Sequence, residues 1–311
     1  EGQVILKKVQ SGTIPADFSG YEGFLSTYYI YDDFNRLRCV IQPLGIELLL
    51  SSGSLYPPFD LTFFYEYDDR GRMISKQVPG AGPVYMVYDK RDRLVFTQDA
   101  NMRLADQWMA TMYDQLNRPV LTGIMTYTGS REQLQEYVNN SNLSTPVTIN
   151  SVVPGNSHLY VDERNPALTS YQASNSITFN AAFQSENNAE FTAEIETQQT
   201  TQESVVVQGN ILPPGNNLIA LTITYYDNYD WNGRSELSYS TTYHNQLDVG
   251  NNLHAETLPQ QYSNNLQGQV TGMSVRVIEN PADLVIGKWL TTINFYDDKG
   301  RLIQSKSDNY K

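Results

Sequence analysis

What the chain lacks narrows its function first. It has one cysteine, Cys39, so it can neither form a disulfide within itself nor build a cysteine-based zinc site. In Leu37-Arg38-Cys39-Val40-Ile41 that thiol reads as a small buried hydrophobe. It has three histidines, His158, His244 and His254, each in a polar stretch and none in a His-Glu-x-x-His pattern. There is no Gly-x-Ser-x-Gly elbow, and Gly287-Lys288 lacks the upstream glycine of a phosphate loop. No cofactor or metal is therefore expected. A membrane-spanning helix needs about 18 or more consecutive apolar residues, and no such run exists. The opening at Glu1 has no basic and apolar leader, so a signal peptide is expected to be missing or already removed. Positive charge is scarce, with 21 Lys+Arg against 34 Asp+Glu and a net charge of -13. That balance opposes binding to nucleic acid or to an anionic membrane surface.

Tyrosine is abundant: 22 residues, beside 11 Phe and 3 Trp. Such rings suit half-buried strand faces, where the ring packs and the hydroxyl stays wet. Many sit in a repeat. Five segments start Tyr-Asp and carry Arg at the same later position. They contain Tyr31, Asp32, Asn35 and Arg36; Tyr67, Asp68, Gly71 and Arg72; Tyr88, Asp89, Asp92 and Arg93; Tyr113, Asp114, Asn117 and Arg118; and Tyr296, Asp297, Gly300 and Arg301. A sixth, Tyr226-Asp227-Asn228, keeps the start and loses the Arg. The residue before each Arg is Gly, Asn or Asp, the types that tolerate a left-handed backbone. This predicts a hairpin whose type I turn is closed by one such residue. Tyr ends a strand, Asp caps the turn through its side chain, and Arg starts the return strand.

The flanks are β-branched and aromatic, as in Leu61-Thr62-Phe63-Phe64-Tyr65-Glu66-Tyr67 and Ile219-Ala220-Leu221-Thr222-Ile223-Thr224-Tyr225-Tyr226. The array is interrupted after Tyr127. A short helix is expected from Ser130 to about Val138, with Ser130 and Gln133 as a capping pair and Leu134, Tyr137 and Val138 as its apolar stripe. From Ser144 to Val207 the chain reads as short strands and polar turns. The expected division is thus 1–128 and 208–311 as two parts of one repeat sheet, with 129–207 as an insertion that makes few contacts with it. The fold class is all-β, antiparallel and hairpin-built, with one short helix.

The Tyr-Asp…Gly-Arg units resemble the YD repeats of the Rhs (rearrangement hotspot) class. Val78-Pro79-Gly80 through Asp92-Arg93-Leu94, and Trp289-Leu290 through Gly300-Arg301, resemble the variant found in large Bacteroidetes Rhs proteins. In the insertion, Tyr171 to Phe183 followed by Phe191 to Ile195 resembles a short β-coil motif of Bacteroidetes surface proteins, with Ala181-Ala182 where a Pro-Gly usually stands. The resemblance implies a hairpin-built sheet that can spiral into a shell around a C-terminal toxin, as in polymorphic toxins, or form part of an adhesin. It also implies an extracellular or cell-surface bacterial location. About six repeats are too few to enclose anything, and the self-cleaving core segment with its paired Asp residues is not seen. The chain is expected to be a piece of a longer protein.

Two readings stay open for the repeat side chains. The adjacent acidic pairs Asp32-Asp33, Asp68-Asp69 and Asp297-Asp298 fit turn capping, with hard-oxygen calcium ligation as the alternative. The Arg residues fit pairing with Asp or stacking on Tyr, with anion or glycan contact as the alternative. The expected function is a non-enzymatic scaffold or shell wall, whose partners are the rest of a longer chain or another copy at the sheet edges. The alternative is a carbohydrate or host-surface adhesin using a Tyr-rich face, which would expose several rings in one groove. A hydrolase would need a pocket with paired carboxylates outside the turns.

Overall fold

A computed structural model describes residues 2–12, 23–154, 158–161, 164, 169–173, 176–181, 183–195, 200–209, 211–215, 218–231, 237–242, 244, 259–278 and 289–307. The first strands are β1 (Leu6–Gln10), β2 (Phe24–Tyr31), β3 (Leu37–Ile41), β4 (Thr62–Tyr67), β5 (Met73–Gln77), β6 (Val84–Tyr88), β7 (Leu94–Gln98), β8 (Gln107–Tyr113) and β9 (Pro119–Thr126). Helix α1 (Pro43–Ser52) follows β3, α2 (Ala100–Leu104) follows β7, and α3 (Arg131–Asn140) follows β9. Then come β10 (Pro146–Pro154), β11 (His158–Val161), β12 (Ser170–Ala173), β13 (Ser176–Phe179), β14 (Thr192–Ile195) and β15 (Thr200–Gln208). The chain finishes with β16 (Leu218–Asp227), β17 (Leu266–Arg276), β18 (Trp289–Tyr296) and β19 (Leu302–Ser307).

Thirteen strands make one antiparallel sheet in the order β1 to β9, then β16 to β19. Strands β10 to β15 lie outside it, so the sheet resumes at β16 where it stopped at β9. The protein is mostly β, and the expected helix, α3, stands beside α1 and α2 among the described elements. Helix α1 hides in an apolar run, Leu44-Gly45-Ile46-Glu47-Leu48-Leu49-Leu50, that carries no clear periodicity. Its ends are marked by Pro43 in the first turn and by Gly53 at φ +65 just past the last.

The chain divides into two compact units, 1–110 with 125–141 and 213–216, and 111–124 with 142–212 and 217–311. Neither boundary of the expected insertion, 128/129 or 207/208, coincides with these. In the first unit, α1 packs its Ile46 and Leu49 on Cys39, Ile41 and Phe64. Helix α3 packs on β6, burying Leu134 and Val138 fully. Its Gln135 side chain accepts from Tyr88 N–H and donates to Tyr88 C=O, so the helix is bolted to the sheet. The capping box at Ser130 and Gln133 forms as the sequence implies.

In the second unit, β10 pairs antiparallel with β15, while β11 pairs parallel with β13 and β12 parallel with β14. That parallel coil closes on Leu159, Val161, Tyr171 and Ala173, packed by Phe183 and Phe191. A separate aromatic core joins Tyr229, Leu266, Ile293, Phe295 and Tyr296. Trp231 lies stacked on Tyr225 at 4.1 Å, over Gly272, which stands opposite Tyr225 in the register. A side chain at 272 would collide with the indole, so the glycine is what admits it.

Candidate functional site

The five repeat turns share one geometry. Asp32 N–H donates to Arg36 C=O, and Asn35 N–H returns to Asp32 C=O at 2.9 Å, which is a type I turn with a one-residue bulge. Asp68/Arg72, Asp89/Arg93, Asp114/Arg118 and Asp297/Arg301 repeat both bonds. The closing residues all have positive φ: Asn35 at 62°, Gly71 at 78°, Asp92 at 61°, Asn117 at 64° and Gly300 at 73°. A Cβ at Gly71 would meet nothing, so only backbone strain opposes a side chain there. Gly71→Val is expected to lower stability by more than about 1 kcal/mol in urea unfolding, and Gly71→Asn by far less. A valine variant as stable as the parent would contradict the turn geometry.

Each first Asp is saturated by its own turn. Asp32 Oδ1 accepts from the N–H groups of Phe34 and Arg36, and Oδ2 accepts from Arg36 Nε at 2.7 Å. The other four turns repeat the Arg backbone and Nε contacts on their own Asp. Burial alone would raise the Asp68 carboxyl, but the N–H and guanidinium of Arg72 and the N–H of Arg70 hold it below the ordinary carboxylate range. The third turn is the most enclosed, with Asp89 0% and Arg93 9% exposed.

The same residues also tie successive hairpins together. Arg36 Nη1 donates to the C=O of Asp68 in the next turn, and Arg72 Nη1 to the C=O of Asp89. Arg36 stacks over Tyr67 at 5.2 Å, Arg72 over Tyr88 at 4.9 Å and Arg118 over Tyr226 at 4.2 Å. In return, each of these tyrosines sends its hydroxyl back to the strand that leaves the previous turn: Tyr67 to Leu37 C=O, Tyr88 to Met73 C=O and Tyr226 to Pro119 C=O. The Tyr31 and Tyr296 hydroxyls also donate to main-chain carbonyls, those of Val4 ahead of β1 and Val270 in β17. Burial raises the phenols of Tyr67, Tyr88 and Tyr226, which keeps them as neutral donors. Tyr113 ends β8 just before its own turn.

The sixth, degenerate unit is completed from outside. Asp227, at φ 68, has no Arg of its own, and Arg118 reaches it bidentately at 2.9 and 2.6 Å. Asp227 Oδ1 also accepts from Gly268 N–H at the start of β17, which a distant part of the chain supplies. The Arg118 guanidinium is the main cause holding the Asp227 carboxyl down, and that bond in turn raises Arg118. Sequence reading missed this pair, because its partners are far apart in the chain. The one available signal was a Tyr-Asp start lacking an Arg.

Among the described residues no group of three His, Cys, Asp or Glu side chains is placed to hold a metal. His244 stands beside Tyr239, while His254 lies outside the described residues. Among the described residues no helix is long and apolar enough to cross a membrane. No family model matches the chain, and no curated protein does. Among solved structures, the chain is similar to crystal structures of TcdB2-TccC3-TEV (11% identity, TM-score 0.38, covering 98% of this chain and 10% of that one) and TcdB2-TccC3 (10% identity, TM-score 0.34, 91% and 10%). It is also similar to a Photorhabdus luminescens Tc holotoxin pore (10% identity, TM-score 0.22, 90% and 13%). The chain spans about a tenth of the length of the TcdB2-TccC3 chains it matches.

Proposed function

We propose that the chain is a non-catalytic segment of a longer Rhs-type YD-repeat protein, acting outside the bacterial cell or at its surface as scaffold or shell wall. One observation carries this reading: in all five turns the Asp carboxylate is taken up by the Arg of its own turn, through backbone N–H and Nε. A catalytic carboxylate needs an oxygen facing substrate, and a calcium ligand needs lone pairs converging on one point. Carboxylates saturated by their own turn are unsuited to both tasks. The tyrosines also favour scaffold over adhesin. A glycan platform needs free ring faces, whereas Tyr67, Tyr88 and Tyr226 are capped by guanidinium and tied through their hydroxyls to the neighbouring strand. The partners of such a segment are further strands of the longer chain, or another copy, added at the edges formed by β1 and β19.

The test is a screen against glycoside, ester and phosphoester substrates. No turnover is expected. Reproducible turnover that disappears when one turn Asp is changed to Asn, at unchanged melting temperature, would overturn the reading.

A further inference from the structure

One cross-strand row of the first unit is polar where the next row is apolar. The register sets Glu66 of β4 opposite Ser75 of β5, Ser75 opposite Tyr85 of β6, and Tyr85 opposite Gln98 of β7. Two residues further along the same face, Val87 pairs with Phe96 and Phe96 with Ala110, all fully buried. Ser75 and Gln98 are themselves buried. The Gln98 side chain donates to Gln107 C=O at 2.9 Å, and Glu66 stands exposed at the other end of the row.

Over this row lies a pocket of about 360 Å³, within the range of small-molecule sites of about 300–1,000 Å³. Its walls are Arg103 of α2, Asp106 beyond it, Tyr127, and the first turn of α3. Arg103 is fixed at the rim: it lies over the Tyr85 ring at 4.5 Å and donates to Gln98 C=O at 3.3 Å. Among the described residues Arg103 pairs with no carboxylate, and neither Glu66 nor Asp106 pairs with a cation. Arg131, by contrast, is paired with Glu132 at 3.1 Å. Tyr127 lines the pocket while packed against Gly129, where any Cβ would collide with its ring.

The lining offers strong acceptors and a strong donor side by side. Three carboxylates, Glu66, Asp106 and Glu132, oppose an anionic ligand, and two guanidiniums, Arg103 and Arg131, oppose a polyamine. A hydroxyl both donates and accepts, so a polyol satisfies both kinds of group at once. We infer that this pocket binds a neutral saccharide, with hydroxyls donating to Glu66 and Asp106 and accepting from Arg103. The inference goes beyond the scaffold reading and uses none of the turn residues.

The experiment is calorimetric titration of the whole 311-residue chain with maltose, cellobiose, lactose and diacetylchitobiose, beside digalacturonate and spermidine. At least one neutral disaccharide is expected to bind saturably. Glu66→Gln and Asp106→Asn should each weaken it at least tenfold without moving the melting temperature, since both side chains are exposed and Asn tolerates the φ of 51° at 106. Absence of any neutral binding, binding untouched by both substitutions, or tighter binding of digalacturonate or spermidine would overturn the assignment. Hydrolysis of the bound disaccharide would leave the pocket standing and overturn the non-catalytic reading instead.

Discussion

Replacing Asp89 with Ala is expected to destabilise the protein by about 3–5 kcal/mol, the cost of stranding one partner of a buried ion pair. Asp89 is fully enclosed and Arg93 nearly so, with the carboxylate 2.6 Å from the guanidinium. The carboxylate also accepts from the N–H groups of Arg91 and Arg93. Alanine leaves both N–H groups and a buried guanidinium without that acceptor. Asp89→Asn keeps an oxygen for the N–H groups and should cost less. The equivalent change at Asp68, whose side chain is 21% exposed, should also cost less, because water can replace part of what is lost. Urea unfolding of the three variants gives the order. An Asp89→Ala protein within about 1 kcal/mol of the parent would contradict the picture of a carboxylate that organises its turn.

The second large effect is expected at Gly123. It lies in β9, and a Cβ there would run into the carbonyl of Ile219 in β16 and come within 2.9 Å of Leu218 Cδ1. The clash is with backbone, so no side-chain rotation relieves it. Gly123→Ala should therefore fall at the upper end of the overpacking range, about 3 kcal/mol. It should also raise amide exchange in β9 and β16, where Thr122 and Thr222 hydroxyls meet at 2.6 Å. Unchanged exchange there would mean that the sheet does not resume across the excursion between these strands.

The turns were legible in the sequence because their chemistry is local. Asp, the left-handed residue and Arg fall within one short loop, so the spacing alone implies the hydrogen bonds. The lattice between turns was not legible. Arg36 finds Asp68 and Arg118 finds Asp227 across very different separations, and only the order of strands fixes those meetings. Helix α1 was missed because its leucine-rich run has no polar face to set a period, and only Pro43 and Gly53 marked it. The parallel pairing of β11 with β13 needs a register that short alternating segments do not specify. The pocket was hidden for a similar reason. Glu66, Ser75, Tyr85 and Gln98 form a row only once four strands are aligned.

Repeat side chains join one hairpin to the next. A double-mutant cycle on Arg118→Gln and Asp227→Asn tests this most directly. These two side chains meet across hairpins that are distant in sequence, and Asn accepts the positive φ at 227. A coupling energy of at least about 0.5 kcal/mol is expected in urea unfolding, as for residues that share a hydrogen-bonded network. Strict additivity of the two substitutions, within about 0.3 kcal/mol, would contradict it.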